Sequence, residues 1–479
     1  MSSKTVHIKT FGCQMNKLDS ALVTASLQKA GFRLSDSVKD ADAVLLNTCS
    51  VRDHAEQRVI SHLGHLKHIK EQNPDLVVAV IGCMAQRLGN DLLDREVVDI
   101  VCGPAQIPQI PQLVTQALSE KQKLLSIAEK IRQPLPDDQT QALEEFEFAS
   151  LSHMPSTDSQ AIHDSRTTNY EQIPGQAFVR VMRGCDNFCE YCVVPYVRGP
   201  EVSRPPKAII EQIKRLADQG VKQVTLLGQR VNAYKYSAVG KTCCLADLLY
   251  LVNEVESIEW IKFVTNYPSE ELYDLILEAM AALPKVCSYL HMPAQSGSDK
   301  ILRAMNRRYT VSQYLEMLDR ARSIVPGIAV SGDFIVGYPG ETAEDFQATV
   351  DLVKKARYKN CFIFKYSPRP GTKADKKLAD SVPQQIKRNR NIELLAVQEK
   401  ISAQLARTFL GKTVKALVEG LSKKPHLDSA ESGANPQLVA RTATDWIVVF
   451  DGPSSLAGRF ANLKIAKTAP LTLFAKLVS

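Results

Sequence analysis

Three cysteines within eight residues, Cys185, Cys189 and Cys192, form the densest group of reactive side chains in the chain. They lie in Met182–Pro200, which reads Met-Arg-Gly-Cys-Asp-Asn-Phe-Cys-Glu-Tyr-Cys-Val-Val-Pro-Tyr-Val-Arg-Gly-Pro. A structural zinc site closes a tetrahedron with four ligands, and this stretch offers three. Three thiolates on a short loop suit a [4Fe–4S] cluster with one iron left open. An open iron can bind a small molecule, which is a reason to stop at three ligands. The alternatives are a zinc knuckle with a distant fourth ligand, or plain buried cysteines. The C-x3-C-x2-C spacing, with Tyr191 just before the last cysteine, argues for the cluster. Spacing by itself establishes only a cluster with an open site.

Three more thiols, Cys13, Cys49 and Cys83, share a different kind of position. Apolar runs at Val6–Phe11, Ala43–Leu46, Leu76–Ile81 and Val97–Val101 alternate with helical stretches at about Asp19–Ala30 and Ala55–Glu71. Nearly uninterrupted apolar strands alternating with helices indicate a parallel sheet buried on both faces. Cys13, Cys49 and Cys83 each stand just past the carboxyl end of a strand, the edge where open parallel sheets bind ligands. The functional reading is a second three-thiolate cluster; the bland one is buried cysteines near strand ends. Cys102 has a similar position and is taken as a bystander, because a fourth ligand would close the cluster.

Length and composition bound the rest. The chain has 479 residues and a net charge of +7, which fits two to four domains and permits a nucleic-acid partner without requiring one. Met1–Lys9 is too polar for a secretory signal, and no apolar run reaches the roughly 18–20 residues of a membrane span. A cytoplasmic protein is expected. Its 11 cysteines then point to metal or catalytic thiols rather than disulfides.

The Cys185–Cys192 loop resembles the cluster loop of radical S-adenosylmethionine (SAM) enzymes. In that family SAM chelates the open iron, and an electron from the cluster breaks a carbon–sulfur bond to give a 5′-deoxyadenosyl radical. With Cys13, Cys49 and Cys83 upstream, nearly the whole chain resembles the radical SAM methylthiotransferases. The resemblance implies two [4Fe–4S] clusters, one on each three-cysteine set, and SAM used twice, for methylation of the sulfur and for the radical. It also implies an electron donor such as flavodoxin or ferredoxin. Gly12-Cys13-Gln14-Met15-Asn16 with Asp19-Ser20 is similar to the branch that acts on N6-isopentenyladenosine next to the anticodon of tRNA, in the anticodon stem-loop. The branches acting on threonylcarbamoyladenosine or on a ribosomal protein usually carry Lys-Val or Pro-Lys at Gln14-Met15; they are the alternative substrates. A non-catalytic iron–sulfur protein that binds RNA or senses redox state is the other alternative.

The expected fold is α/β in four segments. Residues 1–120 form the parallel α/β cluster domain, and 121–172 an acidic flexible linker. From about Pro134 to Gln172 that segment holds eight acidic residues and one basic, a composition that favours a connector. Residues 173–405 form a partial (β/α)6 radical SAM barrel, with strands at Ala177–Met182, Gln223–Leu227, Trp260–Val264, Ser288–His291, Ile328–Phe334 and Cys361–Tyr366. Thr310-x-x-Gln313 and Thr342-x-x-Asp345 read as capping boxes. Active residues belong at the carboxyl ends of barrel strands, where the Cys185 loop follows the first strand. By resemblance, Tyr191, Gln229, Asn232, Gln295, Ser296, Asp333 and Gly337 line the SAM pocket. Arg230 and Asn266-Tyr267 depart from the family pattern, which usually has Asn at the first position and Ser-His at the second.

Residues 406–479 break into short β runs separated by Gly and Ser clusters, which suggests a small barrel. From Arg407 on there are ten Lys or Arg against five Asp or Glu. Lys412, Lys415, Lys423, Lys424 and Arg441 are candidate phosphate contacts. Val418–Lys424 resembles the TRAM domain of tRNA-modifying enzymes.

Overall fold

The structure is a computed structural model and describes residues 4–50, 53–133, 135–149, 173–238, 240–269, 273–423 and 435–478. The chain divides into two compact units. The first holds the described residues up to Ala149 together with Met182–Phe188 and Cys192–Val202; the second holds Ile173–Val181, Cys189–Tyr191 and the chain from Ser203 on.

In the first unit six parallel strands form one sheet. They are β1 (Thr5–Thr10), β2 (Arg33–Leu34), β3 (Ala43–Thr48), β4 (Val77–Gly82), β5 (Ile100–Cys102) and β6 (Leu124–Ser126), in the order β2-β1-β3-β4-β5-β6. Every residue of β3 and β4 is buried, as an apolar strand covered on both faces requires. Val44, Leu46, Val78 and Val80 pack there against Val59 and Leu63 of the helix Asp53–Gln72. Register decides where the thiols end up. Thr10 pairs with Asn47, and Thr48 pairs with Gly82. The carboxyl ends of β1, β3 and β4 are therefore level and adjacent.

The connector expected over 121–172 is ordered where it begins. Ser126 pairs with Cys102 at the edge of the sheet, and a helix spans Asp137–Ala149. Its first turn carries Asp137 and Asp138, placed well against the positive end of the helix dipole. Acidity read as linker composition is in part helix-start chemistry. Residues 150–172 of that segment lie outside the described residues.

The second unit contains six parallel strands in two three-stranded sheets: β7 (Gln176–Arg180), β8 (Gln223–Leu227), β9 (Trp260–Phe263), β10 (Tyr289–His291), β11 (Ala329–Val336) and β12 (Asn360–Lys365). Their orders are β9-β8-β7 and β10-β11-β12. An isolated parallel bridge, Ile261 to Val286, joins β9 to the run leading into β10. Helices fill the crossovers, and both expected capping boxes are present. Thr310 caps Val311–Ile324 with Gln313, and Thr342 caps Ala343–Ala356 with Asp345.

The end of the chain is a closed barrel of five strands: β13 (Thr413–Leu421), β14 (Gln437–Thr442), β15 (Ile447–Asp451), β16 (Phe460–Thr468) and β17 (Thr472–Leu477). Closure comes from β13 pairing with both β14 and β16. Val418, Leu438, Trp446, Phe450 and Leu463 fill its interior. Several side chains fasten the barrel to the rest of the second unit, among them the carboxylate of Asp445 and the ion pair of Lys415 with Glu259. Asp445, in the turn between β14 and β15, lies 3.3 Å from Lys262 on β9 and 3.3 Å from Lys359 ahead of β12. Trp260 and Phe460 meet edge to face beside it, with ring centroids 4.7 Å apart. Among the described residues no helix is long and apolar enough to cross a membrane.

Candidate cluster and cofactor sites

Cys49 follows Thr48 and Cys83 follows Gly82, so these two thiols stand one residue past a paired strand position. Cys13 is the N-cap of the helix Gln14–Lys29 that leaves β1. The level strand ends bring the three together. Cys13 and Cys49 share a side-chain hydrogen bond, and Cys13 and Cys83 are close enough to influence each other's charge. Gly12 makes this approach possible. Its φ is +108°, and a β-carbon there would stand 2.3 Å from that of Cys49. No side chain fits.

A buried polar frame surrounds the thiols. Asn16 donates to the carbonyls of Phe11 and Thr48, each at 2.8 Å, tying the ends of β1 and β3. Asn47 donates to the Asn16 carbonyl and to Ser20 Oγ, each at 2.9 Å. Arg198 arrives from the segment after Cys192. Its Nε lies 3.2 Å from Cys83 Sγ, and its Nη2 donates to Asn16 Oδ1 at 3.1 Å and Asp19 Oδ2 at 2.8 Å. The Cys49 hydrogen bond and the Arg198 cation hold the Cys13 thiol down at about 6, against the opposing pull of burial. Burial pushes Cys83 up, with Arg198 opposing. Three neighbouring thiols are the donors that a three-cysteine [4Fe–4S] site would use. Cys102 has different surroundings: burial pushes its thiol far up, and its S–H points to the Gly103 carbonyl.

In the Cys185–Cys192 loop Cys185 and Cys189 have separate partners. The Cys185 N–H donates to the Gly199 carbonyl at 3.1 Å, and its carbonyl accepts from Arg132 at 3.3 Å. Phe188 turns the chain with φ +47°, and the Arg132 guanidinium covers its ring at 4.6 Å. Cys189 faces the buried Arg307, whose Nη1 lies 3.5 Å from its sulfur. Tyr191 packs beside Ile301, Met305, Tyr338, Tyr366 and Ala374. Arg198 and Arg307 carry no metal-ligand chemistry, so no thiol pattern marks them. The one signal for Arg198 is its place in the Val-Arg-Gly-Pro run that closes the loop.

The expected pocket residues divide by what holds them. Gln229 Oε1 is buried with no hydrogen-bond partner among the described residues, as suits a group waiting for a ligand. Asn232 instead holds backbone: its Nδ2 donates to the Tyr267 carbonyl at 2.7 Å and its Oδ1 accepts from the Tyr267 N–H at 2.9 Å. Gln295 bridges to Phe334 with a left-handed φ of +69°. Ser296 Oγ accepts from the Ser298 N–H at 3.2 Å, inside its own turn. Asp333 is 3.1 Å from His291 Nε2. Gly337 has φ +73°, and a β-carbon there would meet Lys387 Cγ at 2.3 Å; its backbone N–H donates to Glu341. Thr265, in the strand-end segment Thr265-Asn266-Tyr267-Pro268 that reads as pocket wall, takes φ +73° just past β9. That is a rare state for a β-branched residue, and such strain gathers at functional sites.

Residues 5–103 match the uncharacterized protein family UPF0004, and residues 179–353 match the radical SAM superfamily. The chain is 42% identical to the tRNA-2-methylthio-N(6)-dimethylallyladenosine synthase of Rhodopirellula baltica over 99% of its own length and 96% of the relative's. It is 38% identical to the synthase of the same name from Aquifex aeolicus, covering 99% of both chains. The chain belongs to the tRNA-2-methylthio-N(6)-dimethylallyladenosine synthase family. Among solved structures, the radical SAM methyltransferase TsrM from Kitasatospora setae, with cobalamin and a [4Fe–4S] cluster bound, shares the fold. Its TM-score is 0.53 at 17% identity, covering 78% of this chain and 77% of that one.

The two departures from the family pattern meet in space. The Arg230 guanidinium lies 5.8 Å from the Tyr267 ring, and Arg307 covers the same ring at 4.2 Å. The cation at 230 and the aromatic at 267 are thus within cation–π reach of each other.

Of the basic residues expected to meet RNA, Lys412 is exposed. Lys415 is half-exposed, 2.9 Å from Glu259 and 4.2 Å from the Phe460 ring. Lys423 is exposed, and Lys424 lies outside the described residues. Arg441 departs from the expectation. It is 3.0 Å from Glu419 and 3.3 Å from Asp445, and those carboxylates raise its already high proton affinity despite burial. A guanidinium held between two carboxylates belongs to the barrel's anchorage.

Proposed function

We propose that the chain inserts a methylthio group at C2 of N6-isopentenyladenosine in the anticodon stem-loop of tRNA. The observation that carries this is the convergence of Cys13, Cys49 and Cys83 at three level strand ends, in a chain that also holds the Cys185–Cys192 loop. Cys185, Cys189 and Cys192 would hold the cluster that binds SAM, and Cys13, Cys49 and Cys83 the one that bears sulfur. Bound there, the two clusters supply what side chains lack: one-electron cleavage of SAM to reach a C–H bond too weakly acidic for a base, and a carrier for sulfide.

The chain's own residues supply placement. Asn16 and Asn47 fix the strand ends, so the three thiols meet without searching, and Gly12 lets Cys13 and Cys49 approach. Asn232 fixes Tyr267 at the pocket wall, and Gln229 offers a buried acceptor to the ribose or the methionine end of SAM. Holding the reacting groups in one orientation removes much of the entropic barrier to their encounter. Lys412, Lys415, Lys423 and Lys424 would add phosphate contacts that favour RNA without reading its sequence. The enzyme works in the cytoplasm with a flavodoxin or ferredoxin as electron donor.

The test is anaerobic reconstitution with iron and sulfide, then a dithionite-driven assay with SAM and isopentenylated anticodon stem-loop RNA. About eight irons per chain and a methylthioadenosine product by mass spectrometry are expected. Cys13→Ala should still release 5′-deoxyadenosine but insert no sulfur, while Cys189→Ala should do neither. Sulfur insertion by Cys13→Ala would refute the assignment of the upstream thiols. Eight irons with no product on this RNA would move the search to threonylcarbamoyladenosine or a ribosomal protein.

A further inference from the structure

We infer that Arg198 is a positioning residue for the cluster held by Cys13, Cys49 and Cys83: its hydrogen bond to Cys83 raises that cluster's reduction potential, and Asp19 limits the effect. The inference rests on the proposed ligand set and goes beyond it.

The guanidinium is only 6% exposed and the Asp19 carboxylate 1%. Burying such a pair carries a large desolvation cost, and apolar side chains of like volume often stabilise a fold as well or better. Stability alone is thus a weak reason for its presence. The orientation is more telling. Nη2 is fixed by Asn16 and Asp19, which turns Nε toward Cys83 Sγ at 3.2 Å. A planar fork can serve a sulfur and two oxygens at once, whereas a lysine ammonium cannot match that geometry.

The backbone carrying Arg198 is held just as firmly. Its N–H donates to the Val194 carbonyl at 2.9 Å, and Val193 and Val197 pack directly on Cys83. The next residue, Gly199, accepts from the Cys185 N–H at 3.1 Å. Residues flanking two loop cysteines therefore set the position of a donor on an upstream cysteine.

Hydrogen bonds to the sulfurs and local charge are among the determinants of an iron–sulfur potential. Reduction adds negative charge to the cluster. A donor on Cys83 stabilises the reduced form and raises the potential, and a carboxylate behind that donor does the reverse. Arg198 and Asp19 therefore act with opposite signs, which an effect on folding alone would not produce.

The experiment uses the full-length chain carrying Cys185→Ala, Cys189→Ala and Cys192→Ala, so that one cluster gives the signal, titrated anaerobically by electron paramagnetic resonance. Iron is measured first. A parent without about four irons refutes the ligand set and the inference with it. With iron present, Arg198→Gln is expected to shift the potential negative by at least the ~59 mV of a tenfold change for one electron. Asp19→Asn should shift it positive, and Arg198→Lys negative by less than Arg198→Gln. Unchanged potentials in iron-loaded variants, or shifts of the same sign for Arg198→Gln and Asp19→Asn, overturn the inference. Loss of iron from both Arg198→Gln and Arg198→Lys overturns it too, since Arg198 would then assemble the site rather than tune it.

Discussion

Arg307 Nη1 lies 3.5 Å from Cys189 Sγ, so a buried cation faces the middle cysteine of the loop. The guanidinium is fixed from several sides: Nη2 donates to the Pro293 carbonyl at 3.0 Å, Nε donates to Tyr309 Oη at 2.9 Å, and the Tyr267 ring lies 4.2 Å away. Arg307→Met keeps much of the volume but removes the donors. The Pro293 carbonyl then loses a charged partner, a loss of about 1–3 kcal/mol. We expect a lower thermal midpoint in the iron-free chain and less iron retained after reconstitution. An unchanged midpoint would mean that the Tyr309 hydroxyl, which already donates to that carbonyl at 3.3 Å, satisfies it alone.

Cys102 is expected to be dispensable. Its strand, β5, lies beyond β4 in the sheet, and its S–H is directed to the Gly103 carbonyl. Burial disfavours the thiolate that a metal ligand must be. Cys102→Ala should leave iron content and turnover at wild-type levels, with a stability loss of roughly 1 kcal/mol for the vacated volume. Loss of about half the iron would make Cys102 a ligand after all.

These sites were legible in the sequence to different depths. The β8 strand stands at Gln223–Leu227, as expected, because a run this short, β-branched at Val224 and Thr225 and preceded by Gly220, favours a strand over a helix. The capping boxes at Thr310 and Thr342 were legible because each is a local side-chain signature. The helix after Cys13 was expected from about Asp19 but begins at Gln14. Its N-cap is a cysteine without a side-chain cap bond, so none of the usual Ser, Thr, Asp or Asn marks announces the start. Convergence of Cys13, Cys49 and Cys83 followed from strand order, but the distances depend on register, which no single strand encodes. The partners of Arg441 were hidden for the same reason. A basic residue in a basic segment looks free until Glu419, on the neighbouring strand β13, comes beside it.

Asp345 links the helix Ala343–Ala356 to the Ser296–Ser298 turn at the pocket wall. It accepts from Ser298 Oγ at 2.7 Å, Lys300 Nζ at 2.7 Å and the Thr342 N–H at 2.9 Å. Burial pushes its carboxyl up, but Lys300 and those donors outweigh it and hold it well below the usual range. A depressed carboxylate contributes stability that is complete above its unfolded value, near 3.8, and is lost as pH falls through the folded value. Unfolding free energy should therefore drop on acidification below about pH 4. Asp345→Ala should flatten that drop and cost about 1–3 kcal/mol at neutral pH through the hydrogen bonds it accepts, including its half of the capping box with Thr342. An acid transition of undiminished depth in the variant would assign it to other carboxylates.

Lys412 and Arg441 lie on one small barrel and are expected to respond oppositely to two measurements. Lys412 is exposed and free to meet a phosphate; removing one such contact should lower the slope of log affinity against log salt by about 1. Arg441 is held by Glu419 and Asp445, so Arg441→Ala should leave that slope alone. It should instead lower stability by about 1–3 kcal/mol, a buried-pair loss reduced by its partial exposure. Asp445 keeps Lys262 and Lys359 in that variant, which is why the loss should stay below that of a carboxylate left without cations. Filter binding of the stem-loop across a salt series, beside urea unfolding, separates the two roles. A reduced slope for Arg441→Ala with unchanged stability would return Arg441 to the RNA-binding face and leave the barrel's anchorage to the two lysines.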